Sequence, residues 1–412
     1  MIPTKKWFTI SLWSFVLVAL YGLLMRYKIA FYFPFFEQKN MLHAHSHFAF
    51  SGWISHVLYC GLFTVLEPYI SHQAKKKFHL IIGANYLFAL GMLVSFTLQG
   101  YKAVSVTFST LTIAAAVCYT WLYIANISQL PAQNKSKPWA IAGLFLNIFS
   151  SLGPLLLGYM IATHSITQNL YLGSIYFYLH FQYNGWFLFG SLALIISYLP
   201  PEYPSLKKYF YPFLTSAVIT LFLSLLWFKL PLWLNILVDI ASITQLVIWC
   251  MMLYQSRIFF KKASNQYFKR WNIFFYIAAL AFVIKFFLQF LTVIPSLSQL
   301  VFGFRPMVIA YLHLVLLSGY SVFFFGYFLA KQYIHLTNTS VRLAFVLLTG
   351  IIINQLFLSA QGVAAFGYFI IPYINLLLLA VAVLIFGSAI ALAITQLRKS
   401  PPMATNGNPT TA

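Results

Sequence analysis

The chain of 412 residues is 61% hydrophobic and 7% charged, with 25 lysines and arginines against 4 acidic residues. Soluble domains carry about 25% charged residues, so this composition excludes an ordinary soluble enzyme and predicts an all-α polytopic protein in a lipid bilayer. The formal net charge of +21 would also suit a nucleic-acid-binding protein. The basic residues, however, lie in short loops between apolar runs, where membrane orientation accounts for them. We therefore expect no nucleic-acid partner.

Runs of about 20 apolar residues are long enough to cross the ~30 Å hydrocarbon core as helices. The sequence contains twelve such runs, at 7–26, 43–66, 78–99, 104–127, 139–162, 169–198, 209–228, 232–254, 271–295, 306–330, 341–361 and 366–397. We therefore predict a membrane helix bundle that forms a single transmembrane domain over residues 1–398. Residues 399–412 are rich in Pro, Thr and Asn, which predicts a disordered cytoplasmic tail.

The loops between these runs alternate in positive charge. With the N-terminus inside, the inner loops carry 18 basic residues and the outer loops carry 6, while Lys285 alone lies within a span. Cytoplasmic loops of membrane proteins carry the excess of Lys and Arg. The bias therefore predicts that both termini are cytoplasmic, and we expect the protein in the inner (plasma) membrane of a bacterium.

The second predicted span opens with three histidines, His43, His45 and His47. On a helix, His43 and His47 share one face, whereas His45 points to the other side. Imidazole at the start of a membrane helix is costly unless it has a function. One interpretation is that all three are interfacial residues in contact with headgroups and water. The more specific prediction is that at least one binds a metal, with heme iron favoured.

Two further histidines lie inside later spans. His180 lies in the first half of the sixth predicted span. His313 lies eight residues beyond Arg305 in the tenth span, or ~12 Å at ~1.5 Å per residue. Even-numbered spans begin at the outer face in the predicted topology. All the candidate imidazoles are therefore predicted in the outer half of the bilayer.

The tenth span reads Ala-Tyr-Leu-His-Leu-Val-Leu-Leu-Ser-Gly over residues 310–319. This stretch resembles the tenth helix of the catalytic subunit of heme–copper oxidases, in which two histidines two residues apart each bind one heme. His313 matches the second histidine of that pair, and Tyr311 replaces the first. The family's second helix opens with a low-spin heme ligand, a position that either His43 or His45 takes here. The number of spans and the inward termini are also similar to that family.

The resemblance implies a low-spin heme b between the second and tenth spans, bound by His313 and one residue of the cluster. His45 is preferred on its Ala-His match and His43 is close behind, while His47 would form a hydrogen bond or bind a metal. Arg305 would meet a heme propionate or, alternatively, anchor a headgroup. The implied function is electron transfer or chemistry on a diatomic gas such as O2 or NO. Other respiratory-chain or electron-donor subunits are candidate partners.

The dinuclear centre of the family is incomplete in this sequence. The seventh span, 209–228, contains no histidine to bind copper. In the sixth span, His180 and Tyr183 resemble the family's copper ligand and its linked tyrosine, but their spacing is three rather than four. Tyr311 would ligate iron as a phenolate or, as we favour, pack with its hydroxyl paired. A second heme or copper is therefore doubtful, and ordinary reduction of dioxygen to water is not expected.

Asp239 in the eighth span and Lys285 in the ninth are the two formal charges well inside the predicted bilayer. A charge there costs at least ~2.5 kcal/mol unless it is paired or hydrated. The two residues are predicted either to pair or to line a proton path. Two other functions stay open. One is an NnrS-type heme and copper protein, whose His-Ala-His approach fits residues 43–45, and the other is a cofactor-free transporter with a water-lined cavity near Asp239 and Lys285.

Overall fold

The computed structural model describes residues 3–225, 230–262, 270–294, 297 and 304–397, so the tail predicted at 399–412 lies outside the described residues. The described residues form helices joined by turns and irregular segments, without a β-strand. Their twelve long helical runs are α1 (Thr4–Ala30), α2 (Gln38–Tyr69), α3 (His72–Gln99), α4 (Ala103–Gln129), α5 (Lys137–Ala162), α6 (168–198), α7 (Lys207–Leu225), α8 (Leu232–Lys262), α9 (Asn272–Leu291), α10 (Arg305–Ala330), α11 (Asn338–Phe366) and α12 (Ile374–Thr395).

Eleven of these helices are long and apolar enough to cross a membrane. The exception is α6, which is long enough but carries Gln182 and Asn184 in its middle. Large apolar side chains cover the outer surface of the bundle, with Leu80 exposed by 73% and Trp121 by 79%. Such a surface suits contact with lipid rather than with water, and the chain has the helices of an integral membrane protein.

Three helices form the centre of the bundle. In α2, 78% of the most apolar stretch is buried and in α10 61%, against 33% in α1. In α6, every residue from 180 to 194 is buried. These are the three helices that carry the candidate histidines. Among them, His180 is buried, whereas His43, His45, His47 and His313 are half-buried.

Each central helix contains a π-helical segment next to a candidate histidine. The segments are Ala49–Ile54 in α2, Phe181–Trp186 in α6 and Leu314–Ser321 in α10. The segments in α6 and α10 begin directly after His180 and His313. π-Helical turns are rare and are frequent at functional sites, because they redirect side chains and free backbone carbonyls.

Three side-chain hydrogen bonds connect these segments, and we call them the helix brace. The brace consists of Trp53 Nε1 to Ser321 Oγ at 2.9 Å, Trp186 Nε1 to Ser55 Oγ at 3.0 Å, and the Tyr320 hydroxyl to the backbone carbonyl of Tyr183. The first bond joins α2 to α10, the second joins α6 to α2, and the third joins α10 to α6. Each helix of the centre is therefore held to the other two, and the positions of their histidines are fixed relative to one another.

Helix α1 packs against both α2 and α10 through Phe15. The ring centroid of Phe15 lies 5.1 Å from that of Trp53 and 5.0 Å from that of Phe325. Aromatic pairs at these separations pack favourably beyond their buried area. This contact holds the first half of α1 in the core, so that its second half runs beside the start of α2.

Candidate cofactor site between α2 and α10

A cavity of about 560 Å³ surrounds the beginning of α2. On one side, which we call the α10 side, its wall includes His45, His313, Gly22 and Arg26. On the other side, which we call the α4 side, the wall is formed by residues of α4, α5 and α6 together with the opposite face of α2. Small-molecule and cofactor sites commonly enclose about 300–1,000 Å³, so this volume suits a bound ligand.

His45 and His313 meet on the α10 side. The two imidazoles both line the cavity and lie close enough to interact electrostatically. Nδ1 of His313 donates to the backbone carbonyl of Ile309 at 2.8 Å. Because a carbonyl can only accept, this bond fixes the tautomer and leaves Nε2 of His313 with its lone pair. Nδ1 of His45 is buried without a hydrogen-bond partner, so neither ring has all its nitrogens paired inside the protein.

His43 and His47 lie on the opposite face of α2, toward Tyr101 and Phe96. Nε2 of His47 is 2.6 Å from the Tyr101 hydroxyl, and its ring is stacked on Phe96 with centroids 4.5 Å apart. The ring of His43 is 4.7 Å from that of Tyr101. The three neighbouring histidines therefore divide between the two sides of the cavity, and only His45 faces His313.

Two residues of α1 in the cavity wall were missed by sequence reasoning. Arg26 is half-buried and lies close enough to His313 to interact electrostatically. A Cβ atom at Gly22 would lie 3.7 Å from Cε1 of His45, so the missing side chain leaves room beside that ring. Arg305 is exposed and does not line the cavity. The guanidinium available to a carboxylate at this site is therefore that of Arg26.

The structure also brings His180, Tyr183 and Tyr311 together, and we call them the α6 cluster. The ring centroids of Tyr183 and Tyr311 are 6.3 Å apart. Nε2 of His180 donates to the Ala217 carbonyl at 2.8 Å, and Nδ1 accepts from the Asn184 amide at 3.0 Å. Both nitrogens of His180 are therefore engaged by the protein, and in this arrangement neither is available to a metal.

Lys285 is 1% exposed, and its amine is hydrogen-bonded to a neutral amide rather than to a carboxylate. Its Nζ donates to Oε1 of Gln289 at 2.7 Å and lies 3.9 Å from the ring centroid of Phe286. Gln289 in turn donates to Oε1 of Gln245 on α8 at 2.8 Å. Asp239 is half-buried on the same helix. The contacts of Lys285 thus lead to Gln289 and Gln245 rather than to Asp239.

Within the part of the chain that the structure describes, no three His, Cys, Asp or Glu side chains are grouped as ligands of a metal ion. A porphyrin supplies the equatorial ligands of its iron itself, so a heme requires only axial ligands from the protein. No known family model and no curated protein matches this chain. The functional assignment therefore depends on the chemistry of the residues that line the cavity.

Proposed function

We propose that the protein binds a low-spin heme b on the α10 side of the cavity, with His45 and His313 as axial ligands. The observation that carries this proposal is the convergence of two imidazoles, from helices distant in the sequence, on the same side of one cavity. Polar groups inside membrane spans are expensive and are usually retained for a function.

Three features of the α10 side fit a heme. His313 donates its Nδ1 proton to a backbone carbonyl, which is the usual arrangement of a metal-bound histidine and orients Nε2 toward the ligand. His45 lines the cavity, and its Nδ1 has no hydrogen-bond partner, so no protein group competes for that nitrogen. Arg26 supplies a guanidinium, whose planar fork suits a carboxylate such as a heme propionate.

A bound heme supplies a one-electron redox centre whose potential depends on its axial ligands and on the polarity of its surroundings. The protein's part is to hold both imidazoles in place through the helix brace and to exclude water with apolar walls. A heme held by both His45 and His313 would have no coordination position left for a gas, so we assign electron transfer rather than gas chemistry to this site. The protein is accordingly proposed as an oxidoreductase component that resembles the catalytic subunit of heme–copper oxidases without a complete dinuclear centre.

The topology that accompanies this function has twelve spans, with α6 as the twelfth. A helix with Gln182 and Asn184 in its middle is acceptable inside a bundle because those side chains are buried and face other protein groups. We place both termini on the cytoplasmic side of a bacterial inner membrane, since the inner loops carry 18 basic residues against 6 outside. Electron-donor or respiratory-chain subunits are the proposed partners.

The proposal is tested by purifying the protein in detergent from heme-sufficient cells and measuring its absorption spectrum and its pyridine hemochrome. We expect a Soret band and about one heme per chain, as one pair of axial ligands requires. His45→Ala and His313→Ala should each lose the band. Added imidazole should restore heme binding in each variant, because it can occupy the space that the lost ring leaves.

His72→Ala is the matched control, since His72 is an exposed histidine at the start of α3. It should retain the full Soret band. His47→Ala should also retain heme, because His47 faces Tyr101. A wild-type protein that is folded, colourless and free of iron would overturn the proposal and favour a transporter without a cofactor.

A further inference from the structure

The α4 side of the cavity contains a slot that runs along the membrane helices rather than across them. It is lined by residues from Val106 to Ile113 on α4 and from Pro154 to Ile161 on α5. At ~1.5 Å per residue, each of these stretches spans ~10 Å. One half of the hydrocarbon core is ~15 Å thick, so the slot fits within a single leaflet.

The slot is open to the surface of the bundle between α4 and α5. Val106, Leu155 and Ile161 line it and are also exposed, by 45%, 51% and 49%. Gly158 lines it too and is exposed, and a Cβ atom placed there would meet no atom within 4 Å. Because α4 and α5 are apolar enough to cross a membrane, this opening faces lipid, and an occupant enters it from the bilayer.

Close packing of α5 on α6 closes the slot at its Pro154 end. A Cβ atom at Gly153 would touch the backbone carbonyl oxygen of Ser174 and would lie 3.1 Å from Cβ of Tyr178. Gly153 directly precedes Pro154 and is buried. An occupant of the slot therefore ends at this level, and any larger part of it lies toward the opposite end.

The hydroxyls along the slot are engaged within their own helices. Thr110 and Thr112 on α4 and Ser174 on α6 each donate to a backbone carbonyl of the same helix, at 3.0, 2.7 and 2.8 Å. Their protons are therefore not available to an occupant. The slot offers mainly van der Waals contact with apolar side chains, which suits an alkyl chain.

Polar and cationic side chains lie at the other end of the slot. Tyr101 and Tyr171 line the cavity there and are 49% and 36% exposed. Lys102 is exposed and directly precedes α4, one turn before Val106. Tyrosine is enriched at the membrane–water interface, and lysine near the membrane surface attracts anionic headgroups. This end therefore has the chemistry of a site for a phosphate headgroup.

We infer that the α4 side binds one glycerophospholipid, with its phosphate beside Lys102 and one acyl chain in the slot beside Gly158. In the proposed topology, this lipid belongs to the outer leaflet. The inference goes beyond the proposed heme and does not need it, because the slot lies on the face of α2 opposite His45. A lipid-soluble molecule without a phosphate is the main competing occupant, and it would depend on Gly158 but not on Lys102.

The test is native mass spectrometry of the protein, delipidated in detergent and titrated with dioleoyl phosphatidylglycerol. We expect saturable binding of one lipid per chain. Gly158→Leu should weaken this binding about tenfold or more, because the new side chain fills the space of the acyl chain. Gly387→Leu is the matched control and should bind as the wild type does, since a Cβ atom at that exposed position also meets no atom within 4 Å but does not line the cavity.

Lys102→Gln tests the headgroup and should weaken binding about fivefold, the effect of one lysine beside an anionic lipid. His313→Ala should bind the lipid as the wild type does, so that a missing heme and a missing lipid are separate results. Absence of saturable binding in the wild type would overturn the inference, as would equal affinities of the wild type and Gly158→Leu. Wild-type affinity in Lys102→Gln would also overturn it, because the occupant would then be bound without its phosphate.

Discussion

The α10 side of the cavity and the α6 cluster contain the same kinds of residues but engage them differently. On the α10 side, His313 uses one ring nitrogen for an internal hydrogen bond and His45 leaves one without a partner. In the α6 cluster, His180 uses both nitrogens, one with Asn184 and one with Ala217. A histidine on a membrane helix is therefore available to a ligand only where the fold leaves a nitrogen unpaired.

The space around the histidine rings also differs: it is open beside His45 on the α10 side and filled around His180 in the α6 cluster. Gly22 leaves room beside His45, and the cavity of about 560 Å³ begins there. The ring of His180 is packed 5.2 Å from that of Phe181 and 6.5 Å from that of Tyr183, and all three side chains are buried. The α6 cluster thus has the properties of a core interaction, whereas the α10 side has those of a binding site.

A larger side chain on α1 that fills the α10 side of the cavity should cause the largest change, a loss of heme binding. In Gly22→Leu, the new side chain extends from a Cβ position only 3.7 Å from Cε1 of His45 into the space of the proposed heme. Overpacking of this kind costs about 1–3 kcal/mol, and about 1.4 kcal/mol is a tenfold change in binding. We therefore expect the affinity for heme to fall by about tenfold or more, as measured by titrating the heme-depleted protein with heme and following the Soret band.

The matched control is Gly387→Leu on α12. No atom lies within 4 Å of a Cβ placed at Gly387, which is exposed and does not line the cavity. This variant should keep its heme. A Gly22→Leu protein with a full complement of heme would mean that the cofactor binds elsewhere.

His180→Leu should have the opposite pattern, with a loss of stability and an unchanged spectrum. The substitution leaves the Ala217 carbonyl and the Asn184 amide without their partner, at a cost of about 1–3 kcal/mol of unfolding free energy. Thermal unfolding in detergent measures this cost, and the Soret band reports on the heme. If His180→Leu alters the band, the α6 cluster contacts the cofactor and the contrast between the two regions fails.

The helices could be predicted from the sequence because apolar length alone identifies a membrane span. The second span was predicted at 43–66 and lies within Gln38–Tyr69, and the tenth was predicted at 306–330 and corresponds to Arg305–Ala330. The opposite directions of His45 and of its two neighbours followed from helical spacing. These features depend only on residues close together in the chain.

Whether each histidine ring is free to bind a ligand could not be predicted, because this depends on residues that are distant in the sequence. The partner of His180 is Ala217, on another helix, and the π-helical segments are connected by bonds such as that of Trp53 to Ser321. Arg26 stands at the end of a span and was counted among loop residues, since only the packing of α1 brings it to the cavity. Arg305, for which a propionate contact and a headgroup anchor were the alternatives, stands equally close to a span end in sequence but is exposed.

Breaking the helix brace should have a smaller effect than Gly22→Leu or His180→Leu. Ser321→Ala removes the acceptor of the Trp53 indole and should lower the unfolding free energy by about 1 kcal/mol. Ser318→Ala in the same π-helical segment is the matched control, because the Ser318 hydroxyl is buried without a partner and its removal should be neutral or stabilising. Equal destabilisation of the two variants would show that the brace does not hold α2 to α10.

The smallest predicted effect concerns Tyr101, at the polar end of the α4 side. Burial, with a further contribution from Tyr171, raises the pKa of Tyr101 from its ordinary value of 10 to about 12. The hydroxyl contacts His47, and His43 lies beside the ring, so Tyr101 should stay neutral in the folded protein well above pH 10. In the unfolded chain it ionises near pH ~10. Its contribution to stability is therefore present below about pH 10 and is lost as the pH rises toward about 12.

The measurement is the ultraviolet absorbance of tyrosinate in wild type minus that in Tyr101→Phe, followed across this pH range. The difference should develop close to pH 12. A difference that develops near pH ~10 would place the hydroxyl in open water. In that case the bond to His47 would not hold the Tyr101 hydroxyl on the α4 side of the cavity.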